Sequence, residues 1–261
     1  MQIFGTEHIV YMVVSAAAMA GLLVVFRLFI PKNKAFILLK ATALVGLVLI
    51  IINRIVVSKS RSGTFLDFIP DTYCSMMGFI LPLVVLLFKP TTKIYQYAIF
   101  AGAIGGLITF VYPDFLVYFD NFFNIHPFTG LLYHTLMLFM FLESLVCGYY
   151  VPSFKKWTAM PVGLAFMVVF AVFGNTVLGQ SNNMYLNAPL LPDTILTWWF
   201  AGILLLLLYT VCLQVYEMVA LPVKEWSAVK AFARLRGIFT RKRKAAAGQV
   251  LTNSETDEQE K

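Results

Sequence analysis

Cys74 and His134 are the two residues whose types best suit nucleophilic chemistry. Cys74 lies near the start of one apolar block, three residues after Asp71, and His134 lies near the start of a later block. If these blocks are helices, Cys74 lies in the first turn of its helix. The helix dipole and the free N–H groups there favour a thiolate at Cys74 and stabilise an oxyanion beside it. A histidine within reach would then accept the thiol proton. The two residues therefore predict a nucleophile and its general base.

A structural role for the same two residues is an open alternative. Cysteine is among the residues most often buried in protein interiors, where it behaves as a small hydrophobic side chain. His134 would then be an interior histidine with both ring nitrogens hydrogen-bonded. The observable that separates the two interpretations is the distance between the sulfur of Cys74 and the ring of His134. A separation within ~4 Å supports a catalytic pair, and one beyond ~8 Å supports a packing role for Cys74 unless the site rearranges when substrate binds.

Other polar residues lie near the same ends of the apolar blocks as the candidate pair. Polar groups within a membrane are costly, so such positions indicate a functional site. We expect five of them to bind the substrate, namely His8, Arg54, Asn175, Asn183 and Tyr185. Arg54 suits a lipid phosphate. It suits equally well a side chain that extends to the headgroups for its own solvation.

The elements that must position these residues are membrane-spanning helices. Of 261 residues, 60% are apolar and only 13% are charged, and the mean hydropathy is +0.80. Such a composition cannot supply the polar surface of a soluble domain. The apolar residues form seven blocks, each long enough to cross a bilayer as a helix. These blocks are His8–Ile30, Phe36–Val57, Thr72–Phe88, Lys93–Tyr112, Thr129–Val151, Trp157–Gly179 and Thr194–Met218. The predicted fold class is therefore an all-α integral membrane protein, a seven-transmembrane helix bundle.

The loops between the blocks carry a charge bias that predicts orientation. Lysines lie between blocks one and two, three and four, and five and six, and the tail after residue 222 is strongly basic. The alternate loops at 113–128 and 180–193 contain no lysine or arginine. Lys59 and Arg61 depart from this bias, because they lie in the predicted outer loop between blocks two and three. By the positive-inside rule, the N-terminus is outside and the C-terminus is cytoplasmic. The candidate residues then lie at the outer ends of the helices.

The chain divides into three predicted regions. Residues 1–221 form the transmembrane domain, residues 222–244 a basic amphipathic cytoplasmic helix, and residues 245–261 a disordered tail. A basic amphipathic helix is typical of binding to anionic lipid of the inner leaflet, and a basic tail that serves only topology remains an alternative. We expect membrane lipids as partners and no nucleic acid.

Two further features bear on function and packing. The sequence contains no P-loop, GxGxxG, HExxH or GxSxG motif, and we expect neither a metal nor a cofactor.

Small residues four apart, Gly102 with Gly106 and Ala17 with Gly21, favour close approach of neighbouring helices.

The chain resembles the YwaF-like bacterial integral membrane proteins, which are related to the vertebrate transmembrane protein 164 family. The resemblance covers most of residues 1–218 and depends on the order and spacing of several short elements. These are Gly5-Thr6-Glu7-His8, Arg54, Cys74, His126-Pro127-Phe128, His134, Asn182-Asn183-Met184-Tyr185-Leu186 and Pro189.

The resemblance implies an activity and a location. The vertebrate relative is understood as a lipid acyltransferase that uses a cysteine and a histidine, and these look like Cys74 and His134 here. The implied function is transfer or hydrolysis of a lipid acyl group through a thioester on Cys74, in the bacterial cytoplasmic membrane. Two alternatives remain open. One is a protein that binds or transports a small solute in an outward-facing polar cavity, and the other is a non-catalytic membrane scaffold.

Overall fold

A computed structural model describes residues 2–61, 63–180, 182–189, 193–195 and 197–233. It comprises two compact units, residues 1–209 and residues from 210 onward. Within the described ranges every regular element is a helix. The α-helices are α1 Thr6–Phe29, α2 Lys32–Ser60, α3 Phe65–Phe68, α4 Tyr73–Leu87, α5 Lys93–Val111, α6 Ile125–Val146, α7 Ala159–Thr176 and α8 Trp198–Ala220. Short 3-10 turns cover Asp114–Tyr118, Phe154–Lys156, Asn183–Tyr185 and Val223–Glu225.

Six helical segments of the described chain are long and apolar enough to cross a membrane, and each overlaps a predicted block. The third predicted block forms α4, which has only 15 residues. At 1.5 Å per residue it is about 22 Å long, which is less than the ~30 Å of a hydrocarbon core. The structure therefore establishes an all-helical protein with six candidate spans. The seventh span and the orientation of the termini remain predictions.

Helices α2, α4, α5 and α6 pack against one another and contain most of the buried residues of the first unit. Buried polar side chains join them as well. Asn53 of α2 donates to the hydroxyl of Thr129 and to the carbonyl of His126, both on α6. The hydroxyls of Tyr95 on α5 and Ser144 on α6 lie 2.9 Å apart. These bonds fix the rotation of α6 relative to its neighbours.

The glycines of α5 let two helices approach its backbone. A Cβ at Gly102 would lie 2.5 Å from the side chain of Leu81 on α4, and one at Gly106 would lie 2.7 Å from the carbonyl oxygen of His134 on α6. Real Cβ atoms do not come so close, so Gly106, which meets backbone atoms, requires glycine, whereas a Cβ at Gly102 would need the end of the Leu81 side chain to move. The predicted close approach is thus confirmed on α5. At Gly21 of α1 it is wrong, because no atom of the described chain lies within 4 Å of an added Cβ.

In the second unit, the carboxylate of Glu217 binds the start of a short helix. The Glu217 side chain accepts from the backbone N–H of Ser227 at 2.7 Å and from its hydroxyl at 2.6 Å. A helix begins at Ser227 and continues to residue 233, the last described residue. Glu217 therefore caps the start of this helix, which begins five residues later than the amphipathic helix predicted from residue 222. The predicted tail from 245 to 261, and the rest of that helix, lie outside the described residues.

Candidate functional site

Cys74 lies in the first turn of α4, as predicted. The helix is capped by Thr72, whose hydroxyl accepts from the backbone N–H of Ser75, and not by the neighbouring Asp71. Thr72 takes this role because the helix begins at Tyr73, so that Thr72 and not Asp71 is the residue directly before the first helical one. The thiol of Cys74 lies 4.0 Å from the carbonyl oxygen of Gly105, and the hydroxyl of Thr109 donates to its sulfur at 3.8 Å.

His134 is buried in α6 with one ring nitrogen engaged and the other without a partner. Its Nδ1 lies 2.7 Å from the carbonyl oxygen of Gly130, one turn earlier in the helix. Because a carbonyl only accepts, Nδ1 must carry a proton, and in the neutral ring Nε2 then presents a lone pair. Nε2 is buried and has no hydrogen-bond partner among the described residues. This is the tautomer that a general base at Nε2 requires.

Two consecutive glycines of α5 place the cysteine and the histidine on opposite sides of one short stretch of backbone. A Cβ at Gly105 would lie 3.5 Å from the sulfur of Cys74, and one at Gly106 would touch the backbone of His134. Met137, one turn after His134, also reaches to within 3.4 Å of the Gly105 position. The thiol of Cys74 and the backbone of His134 therefore contact neighbouring residues of α5. In this conformation the thiol bonds to α5 and not to the histidine ring.

The start of α4, which carries Cys74, packs against α5 and α6 some way from the ends of those two helices. Gly105 is six residues before the end of α5, which corresponds to about 9 Å along the helix axis. His134 is nine residues after the start of α6, or about 14 Å.

Arg54 is buried near the end of α2, where it binds the segment that leads into α4. Its guanidinium donates to the backbone carbonyls of Asp67, Phe68 and Ile69 and to the carboxylate of Asp71. The second oxygen of that carboxylate binds Arg61 at 2.7 Å. The structure thus gives Arg54 a set of protein partners that the sequence did not suggest. These bonds fix the position of the chain three residues before Cys74.

His8 has partners on both ring nitrogens. Its Nδ1 accepts from the backbone N–H of Phe4, and its Nε2 donates to the carbonyl of Phe110 at the end of α5, each at 3.2 Å. His8 is buried, and these bonds attach the start of α1 to the end of α5. Its ring atoms are therefore used in positioning these two helices.

The predicted binding residues Asn175 and Asn183 form one cluster at the end of α7. The side-chain oxygen of Asn175 accepts from the backbone N–H of Asn183 at 2.6 Å, and the side chain of Asn183 donates to Gln180. This leaves Nδ2 of Asn175 and Oδ1 of Asn183 buried without a partner in the described chain. Buried polar atoms without partners are rare in folded proteins, and such an atom is expected to serve a ligand or a catalytic role.

The residues that follow Asn183 are held in a strained conformation beside Asp71. Met184 and Tyr185 both have positive φ, 51° and 57°, a region that bulky side chains rarely adopt. The N–H of Met184 donates to the carbonyl of Asp71 at 2.8 Å, and its side chain is fully buried. Consecutive strained residues persist where surrounding contacts hold them, commonly at functional sites. The asparagine cluster is thereby tied to the segment that carries Cys74.

Tyr185 is placed among acidic groups. Burial raises the pKa of its hydroxyl, and the nearby carboxylates of Asp114 and Asp71 raise it further. Tyr185 therefore remains a neutral hydroxyl, able to donate a hydrogen bond, at any physiological pH.

The sequence did not indicate Thr109, Gly105 or Gly130 as parts of this site. A glycine carbonyl has no side-chain signature, and the partners of Cys74 depend on the rotation of α5 against α4. The small-residue pair Gly102 and Gly106 was the one sequence signal for the close packing at this point.

The helices and their hydropathy define the class, a multi-pass helical membrane protein with a polar cluster buried at one end of its bundle. A family model described as the TMEM164 family matches residues 3–216. The chain therefore belongs to the TMEM164 family. No curated protein and no solved structure matches it significantly.

Proposed function

We propose that the protein transfers or hydrolyses an acyl group of a membrane lipid, with Cys74 as the nucleophile and His134 as the general base. The observation that carries the proposal is the ring of His134, whose Nδ1 is fixed on Gly130 while its buried Nε2 has no partner. Two neighbouring glycines of α5 contact the two residues. The Gly105 position meets the sulfur of Cys74, and the Gly106 position meets the backbone of His134. Membership of the TMEM164 family agrees with a membrane substrate.

The first half of the reaction forms a thioester. Nε2 of His134 takes the thiol proton, and the thiolate of Cys74 attacks the carbonyl carbon of a lipid ester. The ester C–O bond breaks, and the leaving lipid oxygen receives the proton from His134. For this step the thiol must leave its contact with the carbonyl oxygen of Gly105 and turn towards Nε2 when the substrate binds. Catalytic hydrogen bonds are commonly long or absent before substrate binds.

The second half returns the enzyme to its starting state. A lipid hydroxyl or water attacks the thioester carbonyl while His134 takes its proton. The C–S bond breaks, and the proton passes from His134 to the departing thiolate. Transfer and hydrolysis differ only in this acceptor. The free Nδ2 of Asn175 and Oδ1 of Asn183 would bind polar atoms of the lipid, with the hydroxyl of Tyr185 as a further donor.

The loop charges support a location for this chemistry. If the N-terminus is outside, the Cys74 end of the bundle faces the outer leaflet of the cell membrane, and the basic segment after residue 222 faces anionic lipid of the inner leaflet. Accessibility of a cysteine placed in the 113–128 loop to a membrane-impermeant thiol reagent, in a background with the natural cysteines replaced, tests this orientation in intact cells.

An acyl-exchange assay in liposomes tests the proposed function. The purified protein is reconstituted with a phospholipid carrying a labelled acyl chain and a lysophospholipid acceptor, and both labelled products and free fatty acid are measured. We expect Cys74→Ala to reduce the rate to background and His134→Gln to lower it by about 10²–10⁴-fold. Cys212→Ala, which changes an exposed cysteine of α8, should keep the wild-type rate.

Two outcomes would contradict the proposal. One is a wild-type rate in the Cys74→Ala variant. The other is a Cys74→Ser variant that fully supports uptake of a solute, which would favour binding or transport without covalent chemistry.

A further inference from the structure

An apolar groove lies between α7 and the first part of α8. One of its lining residues, Trp198, packs against Tyr73, which precedes Cys74. It has a volume of about 190 Å³ and is lined only by apolar side chains and glycine, including Ala165 and Val168 of α7 and Trp198, Gly202 and Leu206 of α8. Binding pockets for drug-sized ligands measure about 300–1,000 Å³. The groove is therefore smaller than such a pocket, and its apolar lining suits part of one hydrocarbon chain and not a polar headgroup.

The groove leads towards the candidate nucleophile. Trp198, at one end of it, packs against the ring of Tyr73 with 5.4 Å between ring centroids. Tyr73 precedes Cys74, and both side chains contact the position of Gly105, the sulfur at 3.5 Å and the tyrosine ring at 3.6 Å. A chain that lies in the groove with its ester at the Trp198 end therefore presents that ester towards Cys74.

We propose that the α7–α8 groove binds the acyl chain of the lipid whose ester reacts at Cys74. This inference rests on the proposed function and adds the subsite that selects the acyl group. Lipid tails are as apolar as the groove, so burial alone gives no preference for it over the bilayer. The groove selects by shape, and its effect is on which chain length or degree of unsaturation is transferred.

Gly202 provides a way to fill the groove. No atom of the described chain lies within 4 Å of a Cβ at Gly202, so a larger side chain at this position enters the groove without displacing backbone. Gly21 on α1 is a matched control, because it also has open space at its Cβ and does not line the groove. Ala165→Phe fills the groove from the opposite wall and is the second variant if Gly202→Phe does not fold.

The test uses the full chain in nanodiscs of phosphatidylcholine that carries a diazirine in the middle of one acyl chain. After irradiation, cross-linked peptides are mapped by mass spectrometry. We expect cross-links on the groove walls of the wild type, and their yield to fall about tenfold in Gly202→Phe and Ala165→Phe, as for a mismatch in an apolar pocket. Gly21→Phe should leave the yield unchanged. An equal yield on the groove walls of all four proteins, or cross-links confined to other helices, would overturn the proposal.

The liposome assay separates this inference from the proposed function. If Cys74→Ala abolishes acyl transfer but the groove variants keep the wild-type cross-links and chain-length preference, the acyl subsite is elsewhere and the function stands. If the groove variants lose cross-links while Cys74→Ala keeps full activity, the groove binds a chain but Cys74 is not the nucleophile.

Discussion

Gly106→Ala should weaken the contact between α5 and α6 on which the site depends. The added Cβ would lie 2.7 Å from the carbonyl oxygen of His134 and 2.8 Å from the backbone nitrogen of Leu138. Both are backbone atoms of one helix, so neither moves without shifting α6. Overpacking in a well-packed interior costs about 1–3 kcal/mol, and the better helix propensity of alanine offsets about 1 kcal/mol of it. Because both contacts are with backbone, the upper part of that range applies, about 2–3 kcal/mol, and we expect a net loss of about 1–2 kcal/mol in the free energy of unfolding.

The assay is thermal unfolding of the purified protein in detergent, followed by tryptophan fluorescence. For a domain of this size a loss of 1 kcal/mol corresponds to about 2–4 °C, so the midpoint should fall by about 2–8 °C. Gly21→Ala is the matched control. It adds the same methyl group to a helix where nothing lies within 4 Å, and it should leave the midpoint unchanged or raise it slightly.

The result that would refute this reasoning is a Gly106→Ala midpoint equal to that of Gly21→Ala. It would mean that α5 and α6 do not approach as closely at Gly106 as the structure shows.

Three further predictions concern the polar contacts. Arg54→Met should destabilise the protein by about 3–5 kcal/mol. The reason is that the Asp71 carboxylate and three backbone carbonyls lose their buried hydrogen-bond donor. A wild-type thermal midpoint would contradict this. Glu217→Ala should speed amide hydrogen exchange across residues 227–233 through loss of both bonds to Ser227, and unchanged exchange there would contradict the cap. Because the folded state raises the pKa of Tyr185, its contribution to stability is present below the unfolded value of about 10 and is lost as the pH rises above it. Tyr185→Phe should therefore reduce the decline of the thermal midpoint above pH 10, and an identical decline would contradict the assigned environment.

Hydropathy was sufficient to predict six spans because block length and apolar content depend only on local sequence. It was less informative for α4, where the helix ends after 15 residues although the predicted block has adequate hydropathy. The start of α2 at Lys32 was also missed, since the basic residue belongs to the first turn of the helix and not to a loop.

The candidate site was predicted in type but not in detail. Cys74 and His134 were identifiable because few residues of their chemistry lie in apolar blocks. The partners of Arg54 were not identifiable, since three of them are backbone carbonyls of the segment before α4. The α7–α8 groove had no sequence signal at all, because it depends on the spacing of two helices and on one glycine, Gly202.

The most direct test of the central claim is detection of an acyl thioester on Cys74. The protein is incubated with a phospholipid whose acyl chain carries a terminal alkyne, quenched in acid, and analysed by peptide mass spectrometry with and without hydroxylamine. We predict a hydroxylamine-sensitive adduct on the peptide that contains Cys74, with a lower yield in His134→Gln and no such adduct in Cys74→Ala. No adduct on Cys74 in a preparation that turns over lipid, or equal labelling of the Cys74→Ala variant, would contradict the account.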